Sequence, residues 1–327
     1  MKTVTLATMH NHRLDFPATI NPVPTFIAEV SGNHLGSLTR AKLLIRAAHQ
    51  AGANYVKFQH YKPETITTHS MLPEFLLSSG TWSGRTLWDL YGEAMTPWEW
   101  TRELVDTAQE VGMQWFSTPF DETAVDFLEG FSIPMYKISS FEIVDLPLIR
   151  YVAQTGKPLI ISTGMATLRE IDAAVEAARG AGAQDITLLR TNSAYPAPTA
   201  EMDLMAIPFM RERWGLPVGL SDHTLGTTSG VVATVLGARI FEKHLTISRS
   251  DGGPDADFSS EPSEIAEYVR TLDEAHECIG SARFGPSPSE MASLQLRPSL
   301  RAAQEILPGE LITTENVRSA RPSGGLD

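Results

Sequence analysis

Two short stretches carry residue types that could hold a metal and work on a substrate beside it: Gly219-Leu220-Ser221-Asp222-His223 and Phe241-Glu242-Lys243-His244. Each is an apolar run that ends abruptly in a polar cluster with one histidine. Neutral imidazole is the commonest protein ligand for divalent metals. His223 and His244 at neighbouring strand ends could therefore hold one ion and leave positions open for water and substrate oxygens. Lys57 and Lys137 sit in comparable runs, Val56-Lys57-Phe58-Gln59 and Tyr136-Lys137-Ile138. With the short hydroxyls of Thr118, Ser140, Ser162 and Ser221 they would cradle a phosphate or carboxylate. The other uses of such lysines are pairing with a nearby carboxylate and Schiff-base chemistry. Glu29 and Glu142 are candidates for binding sugar hydroxyls or moving protons, or for pairing with a rim lysine. Asp255, in Gly252-Gly253-Pro254-Asp255, could reach the same mouth or simply form a turn.

These residues share a position in the pattern. The apolar runs predict strands over 25–30, 55–59, 114–118, 135–139, 159–163, 186–191, 218–222 and 239–244, with amphipathic helical patterns between them. Eight strands alternating with eight helices predict an α/β fold, the (β/α)8 TIM barrel, in which chemistry sits at the C-terminal strand ends. The polar residues meet that demand: Glu29 with Asn33 and His34, Gln59, Thr118, Ser162, then Ser193 and Tyr195, His223 and His244 all lie at or just past a predicted C-terminal end. An open doubly wound sheet would carry a Gly-rich phosphate loop after its first strand. Ser31-Gly32-Asn33-His34-Leu35-Gly36 lacks that spacing.

Residues 1–24 form a polar lead-in, 25–282 the barrel and 283–294 a Gly/Pro/Ser linker before a short segment, 295–327. The 37 residues from His60 to Thr96 interrupt the alternation, and four of the six tryptophans (Trp82, Trp88, Trp98, Trp100) lie in or just beyond them. A loop of that length is usually functional. Across the 327 residues a net charge of −13 argues against a nucleic-acid or anionic-membrane binder, but a few placed lysines can still bind a small anion. Cys278, the one cysteine, is expected to be half-buried in the last helix, and the chain to be cytoplasmic, with neither leader nor membrane span.

Taken together the motifs resemble the sialic acid synthases. The matching stretches are Phe26-Ile27-Ala28-Glu29 with Asn33-His34, Val56-Lys57-Phe58-Gln59, Ser117-Thr118-Pro119-Phe120, Tyr136-Lys137-Ile138, Ser162-Thr163-Gly164-Met165, Tyr195-Pro196, and the two histidine stretches. Thr81-Trp82-Ser83-Gly84-Arg85, Thr96-Pro97-Trp98-Glu99-Trp100 and Ser140-Phe141-Glu142 look like the pseudaminic acid synthase branch. The resemblance implies condensation of phosphoenolpyruvate with an amino-sugar aldehyde, 2,4-diacetamido-2,4,6-trideoxy-L-altrose in that branch, with water, giving a nonulosonic acid and phosphate by C–O cleavage. N-acetylneuraminate or legionaminate synthesis and a Schiff-base pyruvate aldolase are the alternatives. It further implies that Lys57, Lys137, Thr118, Ser140, Ser162, Ser193 and Ser221 hold phosphoenolpyruvate. His223 and His244 would bind Mn2+ (or Mg2+ or Co2+), with Glu29, Glu142, Tyr195 and Asp255 around the sugar. A tryptophan-rich lid would cover the sugar's methyl and acetamido groups. The segment from Gln295 looks like part of an antifreeze-like (SAF) domain, whose Arg321 would reach the partner subunit's site in a homodimer.

Overall fold

The structure is a computed structural model and describes residues 23–325. The expected lead-in lies outside the described residues apart from its last two positions. Eight parallel strands close into a barrel in chain order: β1 (Thr25–Glu29), β2 (Tyr55–His60), β3 (Gln114–Pro119), β4 (Tyr136–Ile138), β5 (Leu159–Ser162), β6 (Ile186–Thr191), β7 (Val218–Ser221) and β8 (Ile240–His244). Closure is made by β1 on β8, in register from Thr25↔Ile240 to Glu29↔His244. The helices are α1 (Leu38–Gln50), α2 (Pro63–Ile66), α3 (Leu87–Ala94), α4 (Thr101–Glu110), α5 (Glu122–Glu129), α6 (Leu146–Gln154), α7 (Leu168–Gly180), α8 (Ala206–Trp214), α9 (Thr228–Val235) and α10 (Pro262–Ile279). All but α2 and α3 follow the barrel strands in the expected alternation.

The strands are rich in Ile, Val, Leu and Phe because both faces are covered, one by the filled interior and one by the helices. Outward-facing Phe26 packs on Tyr268 of α10, ring centroids 5.6 Å apart. Caps set where the helices begin. The Ser37 hydroxyl accepts from Arg40 N (3.3 Å), Asp121 from Thr123 N and Ala124 N (2.8 and 3.2 Å), and Thr167 and Glu170 form a capping box. Each such cap is worth about 0.5–2 kcal/mol. Gly219 on β7 is a glycine for want of space: a Cβ there would stand 2.2 Å from Ile240 O and 2.7 Å from Leu189 Cδ2.

Several details depart from the sequence expectation. The 60–96 insertion is not one loop. It contains α2, α3 and a narrow antiparallel turn bridged at Leu76↔Thr86. Thr86 caps α3 by accepting from Asp89 N (3.0 Å), a short local signal that the tryptophan count obscured. The helix expected from Trp98 begins as a 3-10 turn (Trp98–Trp100), and α4 starts at Thr101. Cys278 is exposed rather than half-buried, because it lies on the solvent side of the last turn of α10. No helix among the described residues is long and apolar enough to cross a membrane.

The chain divides into two compact units between Ile279 and Gly280. The second begins three residues before the expected linker. Instead of irregular chain throughout 283–294 it has a 3-10 helix over Pro288–Leu296, followed by an antiparallel pair, β9 (Ser299–Ala302) and β10 (Val317–Ala320).

Candidate active site

Side chains alternate across a strand, and parallel partners in register share a face. One inward residue on one strand therefore sets the inward residues of its neighbours. Glu29 is level with Lys57 and His244, Gln59 with Thr118, Lys137 with Ile160, Thr191 with Ser221, and Ser221 with Glu242. The polar members of this set meet at the C-terminal end of the barrel, beneath a cavity of about 320 Å³.

The floor is an ionic cluster. Lys57 pairs with Glu29 and stands 3.7 Å from Glu242. Lys137 Nζ donates to both Glu242 oxygens (3.2 and 3.3 Å), Ser221 Oγ to Glu242 Oε1 (3.2 Å), and Lys57 Nζ to Thr118 Oγ1 (3.2 Å). All four charged groups are buried. Burial works to raise the Glu242 carboxyl, but the Lys137 and Lys57 ammoniums outweigh it and hold it at about 2. Burial pushes Glu29 up, only partly offset by Lys57. Burial likewise lowers Lys137, against the pull of Glu242. The lysines thus face the cavity and pair with carboxylates at once, two uses the sequence had left as alternatives. Ser162 Oγ is buried with no partner, a hydroxyl free to donate into the cavity.

His223 and His244 lie on one flank, ring centroids 5.4 Å apart. His223 Nδ1 is 2.7 Å from Asn192 O and so carries its proton there, which leaves Nε2 unprotonated in the neutral ring. Burial lowers His223 to about 4 and His244 well below its ordinary value, so both are neutral, the form that binds metals. His244 Nδ1 is buried without a hydrogen-bond partner. Orphaned buried nitrogens are rare and call for a partner, so the pair fits a divalent ion. Among the described residues no group of three or more His, Cys, Asp or Glu gathers around one point. The Tyr195 ring packs tilted against His223, centroids 4.4 Å apart. Asp255 accepts from the Ser31 hydroxyl and from Gly32 N (3.0 Å), and burial raises its carboxyl. Glu142, bonded by the Ser139 hydroxyl, is raised by burial too.

Opposite the ionic floor the wall is apolar. Ile66, Leu77, Trp82, Leu87 and Leu90 from the insertion line it together with Phe120. Trp82 is the one tryptophan in this wall. Trp98 stacks on Phe127 (4.6 Å) and Trp100 lies against His34 (5.4 Å), both away from the cavity, and Trp88 packs on His69 (5.1 Å). The tryptophan-rich lid is therefore corrected to one tryptophan on a wall of mixed aliphatic and aromatic side chains.

Of the expected site residues, Lys57, Thr118, Lys137, Ser140, Glu142, Ser162, Tyr195, Ser221, His223, His244 and Asp255 line this cavity. Glu29 sits behind Lys57, fully buried. Ser193 lies beside Ser140 in the space a Cβ on Gly164 would fill. Arg321 is exposed in the second unit. Asn33 and His34 are buried supports: Asn33 ties Leu245 O and Ser259 together (3.0 and 2.8 Å).

The NeuB family model matches residues 44–284. The chain belongs to the NeuB family. It is 38% identical over 300 residues to the pseudaminic acid synthase of Campylobacter jejuni (strain 81-176), covering 92% of this chain and 88% of that protein. It is 37% identical to the pseudaminic acid synthase of Helicobacter pylori, covering 93% and 89%. The crystal structure of the N-acetylneuraminic acid (sialic acid) synthetase of Leptospira borgpetersenii superposes with a TM-score of 0.73 at 29% identity, over 83% of this chain and 90% of that one. In this NeuB-family barrel the residue that sequence reasoning missed is Glu242, the hub of the lysine cluster. The signal was present: Glu242 is two residues from His244 on one strand and so shares its inward face.

Proposed function

We propose that this chain condenses phosphoenolpyruvate with 2,4-diacetamido-2,4,6-trideoxy-L-altrose and water to give pseudaminic acid and phosphate. The observation that carries this reading is the two-sided cavity, with buried lysines and hydroxyls on one side and a largely apolar wall of aliphatic and aromatic side chains on the other. The floor suits the phosphate and carboxylate of phosphoenolpyruvate. The wall suits a deoxy sugar with methyl and acetamido groups, since burying hydroxyls there would leave them unpaired.

C3 of phosphoenolpyruvate forms a bond to the aldehyde carbon, water adds to C2, and the C2–O bond to phosphate breaks as the new C2 hydroxyl becomes the ketone, its proton leaving with the phosphate. Lys57 and Lys137 balance the ligand's negative charge throughout, in a site where burial strengthens each contact. The nascent alkoxide takes up one proton and the attacking water gives one up. Glu142, which lines the cavity and whose carboxyl burial raises, is suited to exchange these protons. His223 and His244 would hold a divalent ion, Mn2+ being the expected one. When bound, such an ion supplies Lewis acidity toward a carbonyl oxygen. A homodimer is part of the proposal and is read by sedimentation.

The test is phosphate release from phosphoenolpyruvate with the diacetamido sugar and with N-acetylmannosamine, side by side, before and after chelator. The expected result is an advantage of roughly 10- to 100-fold in kcat/KM for the deoxy sugar, lost on chelation. The reverse ranking moves the chain to N-acetylneuraminate synthesis. A covalent adduct trapped by borohydride and pyruvate, with activity surviving chelation, makes it a Schiff-base aldolase.

A further inference from the structure

Behind the two histidines, outside the cavity, lies a buried polar cluster that the chemistry above does not use. The alternation that turns His223 and His244 inward turns their chain neighbours Asp222 and Lys243 the other way. Asp222 and Lys243 are buried. Asp222 Oδ1 accepts from Thr224 N and Oγ1 (2.9 and 2.8 Å), and Oδ2 accepts from the Tyr268 hydroxyl of α10 (2.8 Å). Lys243 Nζ is 3.4 Å from Asp222 Oδ2 and 5.2 Å from the centre of the Tyr268 ring. It also donates to the backbone oxygens of Asp222 (3.4 Å) and Thr224, the carbonyls on either side of His223.

This contact lies where the sheet gives out. The β7–β8 register ends at Ser221↔Glu242, and Asp222 N donates to Glu242 O (2.8 Å) just beyond it. Past that point the Lys243 ammonium spans from the residue beside His244 to both neighbours of His223. An ordinary buried ion pair returns little net stability, because both charges lose their water, and apolar replacement is often neutral or stabilising. Stability therefore gives a weak account of a pair placed here, and position gives a strong one.

We propose that Lys243 and Asp222, seated on Tyr268, are a positioning brace that sets the separation of the His223 and His244 imidazoles for a divalent ion. The inference rests on the metal reading above. Partners behind metal ligands commonly carry about 10- to 100-fold in metal affinity.

The experiment measures Mn2+ binding to metal-stripped protein by calorimetry, with melting temperature and far-UV circular dichroism alongside. The Asp222→Asn/Lys243→Met double variant removes both charges, keeps a partner for Thr224 and removes the contact to the two carbonyls. It is expected to fold and melt like wild type while binding Mn2+ about 10- to 100-fold more weakly. Unchanged Mn2+ affinity overturns the brace. If the double variant melts early, Tyr268→Phe decides, since it removes only the hydroxyl that orients Asp222. A several-fold weaker Mn2+ affinity at unchanged melting temperature supports the brace, and equal affinity overturns it. His223→Ala separates this inference from the reading beneath it. If wild type takes up no Mn2+, or His223→Ala binds as wild type does, the metal reading itself fails and the brace with it.

Discussion

Lys57 and Lys137 reach the cavity already neutralised by Glu29 and Glu242. An incoming anion therefore joins an occupied hydrogen-bond network and shares the ammoniums with carboxylates in fixed positions. Lys137→Met removes one of two charges that would stabilise the reacting phosphate. It is expected to lower kcat/KM for phosphoenolpyruvate by about 10²–10³, read by phosphate release. Its loss of stability is expected to stay below the roughly 3–5 kcal/mol of a fully orphaned buried partner, because Lys57 and Ser221 still face Glu242. His60 makes a separate prediction away from the chemistry. The Ser117 hydroxyl donates to Phe58 O (2.9 Å) and so accepts from His60 Nδ1 (2.7 Å), while Nε2 accepts from Thr101 (2.8 Å). Burial holds this ring at about 3, against 6.5 when free. The folded pKa lies below the unfolded one, so the unfolded chain takes up the proton first. This contribution is complete above pH 6.5 and is lost as pH falls toward about 3. His60→Gln is expected to flatten the fall of the urea midpoint across that window by up to one proton's worth, measured by equilibrium unfolding at a series of pH values.

The barrel strands were legible because parallel strands covered on both faces must be continuous apolar runs, and their polar ends stand out. The insertion was not legible in the same way. A count of tryptophans does not say which way each ring points, and Trp98 and Trp100 turned out to pack beneath the wall while Trp82 crosses the mouth. Its ring packs tilted against Tyr195 (5.4 Å), its N–H donates to Pro254 O, and Thr81 Oγ1 donates to Tyr195 O (2.7 Å). Residues 77–85 are a strap that contains two positive-φ glycines, Gly80 (+79°) and Gly84 (+87°), with its tip fastened to the loops after β6 and β8. That His223 and His244 face one cavity was readable from spacing, whereas Glu242 was hidden inside the same four residues by attention to the histidine. Trp82→Ala should unfasten the strap without touching the barrel. The expected result is a KM for the sugar about 10-fold higher, equivalent to about 1.4 kcal/mol, with melting temperature nearly unchanged and faster proteolytic nicking between Leu77 and Arg85. An unaltered KM removes the strap from sugar binding.

At the scale of the whole molecule the two units differ in how much each can stabilise itself. The first has a closed sheet with no free edge and a contiguous buried core running from β1 through α10. In the second, Ser299 is the one buried residue among those described. Leu300, Leu307, Leu311 and Ile312 there are 42–84% exposed, and one two-stranded pair supplies the regular sheet. A segment of that size rarely builds a core that is stable without a disulfide, a metal or a partner, and a lone hairpin is marginal in water. Chain ending at Ile279 is therefore expected to melt cooperatively with the far-UV spectrum of a (β/α)8 barrel. An isolated 280–327 peptide is expected to give the spectrum of an unfolded chain and no thermal transition. If the peptide folds alone, its hairpin and 3-10 helix are enough to stabilise each other. If instead the barrel fragment fails to melt cooperatively, its stability depends on residues past Ile279, and the division at Gly280 is not a folding boundary.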